Sequence, residues 1–310
     1  MNNSKKILII GGPTASGKTE ISFKIAKEIN GEIISADSRQ FYKEINIGTD
    51  KPPIWMRNEI PHHFIDFLSL KENFDVYEYK NLVYEKVGEI ISKGKIPLIV
   101  GGSGFYIRVL IKGLFPLPYE LKEKQKEIRE KLKNEKTEKL YERLKEIDPG
   151  VSKKIHPNDK YRIIRAIEIY QITGKNMSFW QNQKPEKTLN DFGKIFYFIL
   201  MRERNQVYER IEKRIEKMFE NGWIEEVKKL REESFENDLK FKAPIGYKEI
   251  IDYLDGKYNL EETKKMIVKK TKEYARKQII WFKKEEGIFI NFSTDDEVIK
   301  KIKLHFFLIS

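Results

Sequence analysis

The sequence predicts an α/β protein, a parallel sheet flanked by helices, with an all-helical segment inserted into it. Three observations predict this. Short apolar runs in the first hundred residues alternate with stretches of helical period, a glycine-rich turn joins the first run to the first helical stretch, and after Gly113 the chain becomes charged and helical.

Each element follows from its local pattern. Ile7 to Gly12 (ILIIGG) is short and apolar like a buried strand, and Thr19 to Ile29 follows with Ile21, Ile25 and Ile29 at helical spacing. EIISAD, closing at Asp37, reads as a second strand. The amphipathic stretch Tyr77 to Ser92 leads into IPLIVGG (Ile96 to Gly102), a further strand ending at paired glycines. Strand, helix, strand in this order implies right-handed crossovers on one sheet. The prolines of LFPLPYE then break the pattern, and Leu121 to Asp148 is almost wholly charged, with leucine and isoleucine at helical intervals. Helical spacing continues over Lys160 to Thr173 and stops at Gly174, a C-cap residue. IFYFILM (Ile195 to Met201) returns as a strand, and the remainder is helical apart from GIFINF. The expected division is a core formed by 1–114 and 191–310 around a helical insertion at 115–190.

Composition excludes several classes of protein. A chain of 310 residues can bury a real core as one large domain or two ordinary ones. No stretch approaches the ~18 uninterrupted apolar residues of a membrane span, and the apolar run behind Lys5 and Lys6 is too short for a signal-peptide core. There is no cysteine, so disulfides and Cys-ligated metal sites are excluded and a cytoplasmic setting is expected. The net charge is +12, and Thr263 to Lys284, with nine basic residues and one acid, carries +8 of it. Ile267, Tyr274 and Trp281 recur every seven residues there, which predicts a helix with those three on one face. Its lysines form either a solvated surface or a contact for a phosphate backbone.

The strongest signal is GPTASGKT, which fits G-x-x-x-x-G-K-[ST] between a strand and a helix. Gly12 and Gly17 permit backbone conformations closed to other residues. Successive amides of Pro13-Thr14-Ala15-Ser16 and beyond can then face phosphate oxygens at a helix N-terminus. Lys18 adds a full charge, and the Thr19 hydroxyl can ligate Mg²⁺. The core is therefore expected to be P-loop NTPase-like. An NTP hydrolase usually carries a second carboxylate at a strand end, yet IPLIVGG ends in glycines and Ser103. Asp37, at the end of EIISAD, is the one acid in an equivalent place. It can serve as metal ligand, general base or turn-forming residue.

Beyond this loop the chain carries ISADSRQFY, INIGTDKP, PHHFID, LIVGGSGFY, IHPND with YRIIRAIEIY, IGYKEI and ARKQIIWFK, in that order. With GPTASGKT, these strings make nearly the whole chain resemble the bacterial tRNA dimethylallyltransferases, also called tRNA isopentenyltransferases or the IPP transferase family. The resemblance implies transfer of a dimethylallyl group from dimethylallyl diphosphate to the exocyclic amine of the adenosine 3′-adjacent to the anticodon in tRNA. By matched position it implies that Asp37 is the general base, that Lys18 and Thr19 bind diphosphate and Mg²⁺, and that Arg214 supports the diphosphate. It places Asp37, Ser38, Arg39, Gln40, Ser103, Gln125, Tyr161, Arg162, Ile163, Ile164 and Arg165 against the tRNA anticodon stem-loop. Ser103 stands where threonine is more usual in the family, Asn46 where aspartate is common, and Arg39 with Phe41 alters the stretch after Asp37.

Such a reaction needs a stabilised leaving group more than a strong nucleophile, because an allylic carbon develops carbocation character as diphosphate departs. The target base must also be extruded from its stack. Arg162 and Arg165 are placed to contact the RNA loop, or else to pair with Asp159 and Glu168 along their own helix. His62, His63 and His156 read as structural. A monomer without membrane association is expected. The alternatives are a P-loop small-molecule or nucleoside kinase, an adenylate isopentenyltransferase acting on free nucleotide, and a non-catalytic RNA-binding protein on the same scaffold.

Overall fold

The computed structural model describes residues 5–116, 122–185, 187–292 and 294–308. Contacts divide the chain into two compact units, Met1–Ile111 with Leu189–Ser310, and Lys112–Thr188.

The first unit is built on six parallel strands: β1 (Lys6–Gly11), β2 (Gly31–Ser35), β3 (His62–His63), β4 (Ile96–Gly101), β5 (Lys194–Met201) and β6 (Ile288–Asn291). Their order is β3-β2-β4-β1-β5-β6. The expected strands are all present, and β3 is an addition. Its two histidines pair with Ile33 and Ile34, too short a run for any period to reveal. Along β1, side chains alternate between two cores, as a sheet covered on both faces requires. Ile7 and Ile9 join Ile34, Ile99, Tyr197 and Ile199 under helices Val76–Ser92, Arg204–Glu220 and Leu260–Phe282. Leu8 and Ile10 join Leu98, Phe198 and Leu200 under helices Lys18–Glu28 and Asp295–Leu308. Helix Val76–Ser92 starts at a capping box, in which Asp75 accepts from the amides of Tyr77 and Glu78 while Glu78 accepts from the Asp75 amide.

The second unit is helical throughout its described residues, with helices at Lys122–Lys133, Thr137–Ile147, Pro149–Ser152, Lys160–Thr173 and Met177–Gln181. It has its own core, formed by Leu132, Leu140, Leu144, Val151, Ile155, Ile163, Ile164, Ala166 and Ile167. Helix Lys160–Thr173 ends at Gly174, whose φ of 69° is a left-handed cap. Among the described residues no helix is long and apolar enough to cross a membrane.

The sheet's registered core makes one test direct. Ile99 is fully buried, paired between Ile9 and Ile34, and Ile99→Ala is expected to cost about 2–5 kcal/mol. A matching fall in the urea midpoint checks this.

Candidate active site

The turn between β1 and helix Lys18–Glu28 is held in a shape that only certain residues allow. Gly12 has φ 154°, and a Cβ there would lie 2.7 Å from the Leu200 carbonyl oxygen. Gly17 has φ 90°. Two arginines grip the turn through its carbonyls: Arg202 Nε donates to Ser16 O (3.1 Å), and Arg210 Nε donates to Ala15 O (3.0 Å). These bonds fix two peptide planes of the turn just before the helix begins.

Lys18 lies folded onto its own turn, its Nζ donating to Gly12 O (3.0 Å) and Pro13 O (2.7 Å). Burial lowers its pKa to about 8, opposed chiefly by the Asp37 carboxylate and reinforced by Arg214. Thr19, next along the helix, faces the same cavity, and among the described residues its hydroxyl has no hydrogen-bond partner. Groups of three or more His, Asp or Glu side chains fit to hold a metal are absent from the described residues. The open Thr19 hydroxyl is the kind of oxygen that could hold a divalent cation together with phosphate oxygens.

Asp37 stands just beyond β2, at the carboxyl end of the sheet where ligands of open α/β sheets bind. Its Oδ1 accepts from the Arg39 amide (3.0 Å), an Asx-type turn that orients the carboxylate and leaves Oδ2 without a partner among the described residues. The neighbouring loops are tied to it. The Ser38 amide donates to Ser103 Oγ (3.4 Å), Gln40 Nε2 donates to Asp50 O (3.2 Å), and Arg39 donates to the Lys242 carbonyl. On the opposite wall Arg214 Nη1 meets Asp50 Oδ2 at 3.1 Å, and its buried Nε has no partner.

These groups line one cavity of about 760 Å³, walled by Lys18, Thr19, Asp37, Arg39, Gln40, Arg210 and Arg214 and floored by apolar groups including Met56, Met218 and Trp223. Glu226 shapes one rim by accepting from the amides of Asn46 and Ile47 (both 3.0 Å) and from the Tyr247 hydroxyl (2.6 Å). Those bonds pin the INIGTDKP segment against IGYKEI and explain how two distant motifs serve one site.

Two expectations need correction. Ile163 and Ile164 are 0% and 5% exposed and belong to the core of the helical unit, so their side chains cannot reach RNA. In the basic helix the buried seam is Thr263, Ile267, Thr271, Ala275, Gln278 and Phe282, while Tyr274 is 45% exposed and lines the cavity. The spacing that wins is three and four residues, because a helix of 3.6 residues per turn drifts off a seven-residue repeat.

The other insertion residues are placed as follows. Tyr161 is 73% exposed. Arg162 pairs with Asp159 (2.7 Å), and Arg165 pairs with the fully buried Glu168 and donates to Gln125 Oε1 (3.2 Å). Arg129 also grips Glu168, at 2.8 Å. Arg165 and Gln125 therefore have work inside the unit, whereas Arg162 lies at the surface. On the basic helix, Lys264, Lys270 and Lys272 pair with Glu216, Glu249 and Glu212. Lys265, Lys269, Arg276, Lys277, Lys283 and Lys284 have no ion pair among the described residues. Sequence reasoning missed Arg202, Arg210, Glu226 and Gln278. Of these, Arg210, one helical turn before Arg214, and Gln278, inside ARKQIIWFK, left a readable signal.

Fold and site together define a P-loop-like α/β enzyme whose glycine-rich turn and Asp37 line one cavity. The chain belongs to the IPP transferase family, whose model matches residues 40–285. A tRNA dimethylallyltransferase of Thermotoga petrophila is 42% identical over 301 residues, covering 96% of this chain and 97% of that protein. One from Halothermothrix orenii is 41% identical over 317 residues, covering 99% and 95%. Among solved structures, a tRNA isopentenylpyrophosphate transferase from Staphylococcus epidermidis superposes with TM-score 0.68 at 33% identity, covering 99% of this chain and 100% of that one. A eukaryotic dimethylallyltransferase acting on tRNA gives TM-score 0.77 at 29% identity, covering 93% and 74%.

The burial of Lys18 has a measurable consequence. With its pKa lowered to about 8, raising the pH through that value removes its charge, and affinity for inorganic pyrophosphate is expected to fall between pH 7 and 9. Lys18→Arg, which stays protonated, should abolish the fall. Calorimetric titrations of both proteins across this range decide it, and parallel profiles would remove Lys18 as the cause.

Proposed function

We propose that this chain transfers a dimethylallyl group from dimethylallyl diphosphate to the exocyclic amine of the adenosine 3′-adjacent to the anticodon in tRNA. The observation that carries the reading is that the phosphate turn and Asp37 line one cavity of about 760 Å³, which also has apolar lining and has room for a five-carbon chain and a base. Near-full-length relatives that bear the tRNA dimethylallyltransferase name favour it over a kinase or a transferase for free nucleotide.

In this reading the turn's amides, Lys18 and Arg214 hold the diphosphate and stabilise charge as the allylic C–O bond breaks. Lys18 leaves the Gly12 and Pro13 carbonyls to meet phosphate oxygens. The orphaned Nε of Arg214 gains a partner in the same step. The amine nitrogen bonds to the allylic carbon, and Asp37 takes its proton through the oxygen that the Arg39 amide leaves open. Mg²⁺ at Thr19 would supply further neutralisation of the leaving diphosphate. The adenine must leave its stack to reach Asp37, at a cost of a few kcal/mol. Arg39 and Gln40 at the cavity, Ser38 and Ser103 beside them, and Tyr161 and Arg162 on the helical unit contact the RNA.

Mass spectrometry of nucleosides from anticodon stem-loop RNA incubated with the protein, Mg²⁺ and dimethylallyl diphosphate tests the whole reading. A five-carbon adduct on one adenosine is expected, and unmodified RNA with intact diphosphate would overturn it. Asp37→Ala should lower kcat by about 10²- to 10⁴-fold while pyrophosphate still binds in calorimetry. Near-normal turnover would take the base role from Asp37. Arg162→Ala should weaken RNA binding and reduce the slope of log affinity against log salt by about 0.7–0.9, with pyrophosphate affinity unaltered. An unchanged slope in fluorescence anisotropy would show that Arg162 serves only its pair with Asp159.

A further inference from the structure

One buried polar side chain joins two of the site's loops and has no part in the steps above. Gln278 projects from the buried seam of helix Leu260–Phe282 into the carboxyl end of the sheet, where it is 8% exposed. Its Oε1 accepts from the Thr14 amide in the phosphate turn (2.9 Å), and its Nε2 donates to the Gly102 carbonyl just past β4 (2.9 Å). Both ends of the amide are thus used, each on backbone, and each on a different loop. The fit is close: a Cβ on Gly102 would lie 2.8 Å from Gln278 Nε2. One turn further along, Phe282 packs against Gly11 at the end of β1 in the same way, with 2.9 Å from a Cβ built there to its ring.

The geometry matters because these two loops carry different halves of the chemistry. Thr14 belongs to the turn that faces the diphosphate. Gly102 precedes Ser103, whose hydroxyl accepts from the Ser38 amide beside Asp37. The turn's other side is held by Arg202 and Arg210 through the Ser16 and Ala15 carbonyls. Those arginines hold only its C-terminal half. On the N-terminal half, Gln278 holds the Thr14 amide beside the Lys18 contacts to Gly12 and Pro13, and of these side chains Gln278 is the one bonded, among the described residues, to the loop leading to Ser103. A primary amide suits this place, since it offers one acceptor and one donor without charge. A carboxylate would set a negative oxygen against the Gly102 carbonyl and beside an incoming anion.

We infer that Gln278 is a positioning residue for prenyl transfer: it holds the phosphate turn in its anion-receptive shape and sets its distance from the Ser103–Ser38 side of the site. The inference rests on the reading of that turn as a diphosphate cradle. Gln278→Met keeps length and bulk while removing both hydrogen bonds. Gln278→Glu keeps the acceptor for Thr14 and removes the donor.

The test measures inorganic pyrophosphate binding by calorimetry, with steady-state kinetics and thermal melts, for the wild type, Lys18→Ala and both Gln278 variants. For folded Gln278→Met we expect pyrophosphate affinity lower by about fivefold or more, as loss of one net hydrogen bond implies. KM for dimethylallyl diphosphate should rise in parallel, while KM for RNA changes less than about twofold. Gln278→Glu should show the same split, more strongly, and it stands in for the Met variant if that protein does not fold. A purely structural role would instead lower the melting temperature with pyrophosphate affinity unmoved. If wild type binds pyrophosphate, Lys18→Ala does not, and a folded Gln278 variant binds like wild type, the inference alone falls. If wild type takes up no pyrophosphate, the cradle reading and the inference fall together.

Discussion

An anion site made of backbone must be held open by its surroundings, because a loop of amides with no ligand tends to satisfy itself. In this protein the turn after β1 is bound by side chains that occupy its carbonyls and one of its amides: Arg202 on Ser16, Arg210 on Ala15 and Gln278 on Thr14. All three come from the second half of the chain. The parallel sheet brings them to the turn, since β5 lies directly beside β1 and delivers Arg202 just past its end, with helix Arg204–Glu220 following. The split of the first unit around the helical segment therefore has a mechanical meaning: neither half of the sequence can hold the cradle by itself.

Electrostatics follow from the same arrangement. Lys18, Arg202, Arg210 and Arg214 converge on a few residues, and bringing like charges together in a desolvated place is unfavourable unless an anion arrives. Local pairing offsets this. Asp295 meets Arg202, Asp50 meets Arg214, and Lys18 rests on carbonyls with its pKa lowered. In the proposed reading, a bound diphosphate would take over Lys18's carbonyl contacts and answer the remaining positive charge. The binding energy of a tightly held leaving group can thus be concentrated where charge develops during bond cleavage, which is where stabilisation accelerates a reaction.

How much of this could be read from residues alone depended on whether the cause was local. Strands β1, β2, β4, β5 and β6 announce themselves as apolar runs, and the phosphate turn as a spacing of glycines, because a few consecutive residues determine each. β3 has two residues and exists through pairing with Ile33 and Ile34, so no period could mark it. The seven-residue recurrence of Ile267, Tyr274 and Trp281 misled for a physical reason: one helix packed on a sheet follows 3.6 residues per turn, and Tyr274 is turned toward the cavity. Ile163 and Ile164 lie inside a segment that is similar to the family's RNA-contacting stretch, but a helix shares each such stretch between two faces, and theirs is the core. Arg202, Arg210 and Gln278 act on backbone atoms 186, 195 and 264 residues away, which no local pattern encodes.

The end of β4 shows how this scaffold departs from nucleotide hydrolysis. A hydrolase places a carboxylate at such a strand end to hold metal and position water. Here the strand ends in Gly101 and Gly102, and the group that fills the space is the neutral amide of Gln278, hydrogen-bonded at both ends. An acid in that place would attract water and cation to the phosphate, the wrong nucleophile for a reaction whose intermediate character is cationic and whose acceptor is an amine. Asp37, a carboxylate at a neighbouring strand end, has one oxygen bonded to the Arg39 amide and the other without a partner among the described residues. In the proposed reading, a neutral amide at one strand end and a carboxylate with one open oxygen at the next favour a carbon electrophile and a nitrogen nucleophile over water.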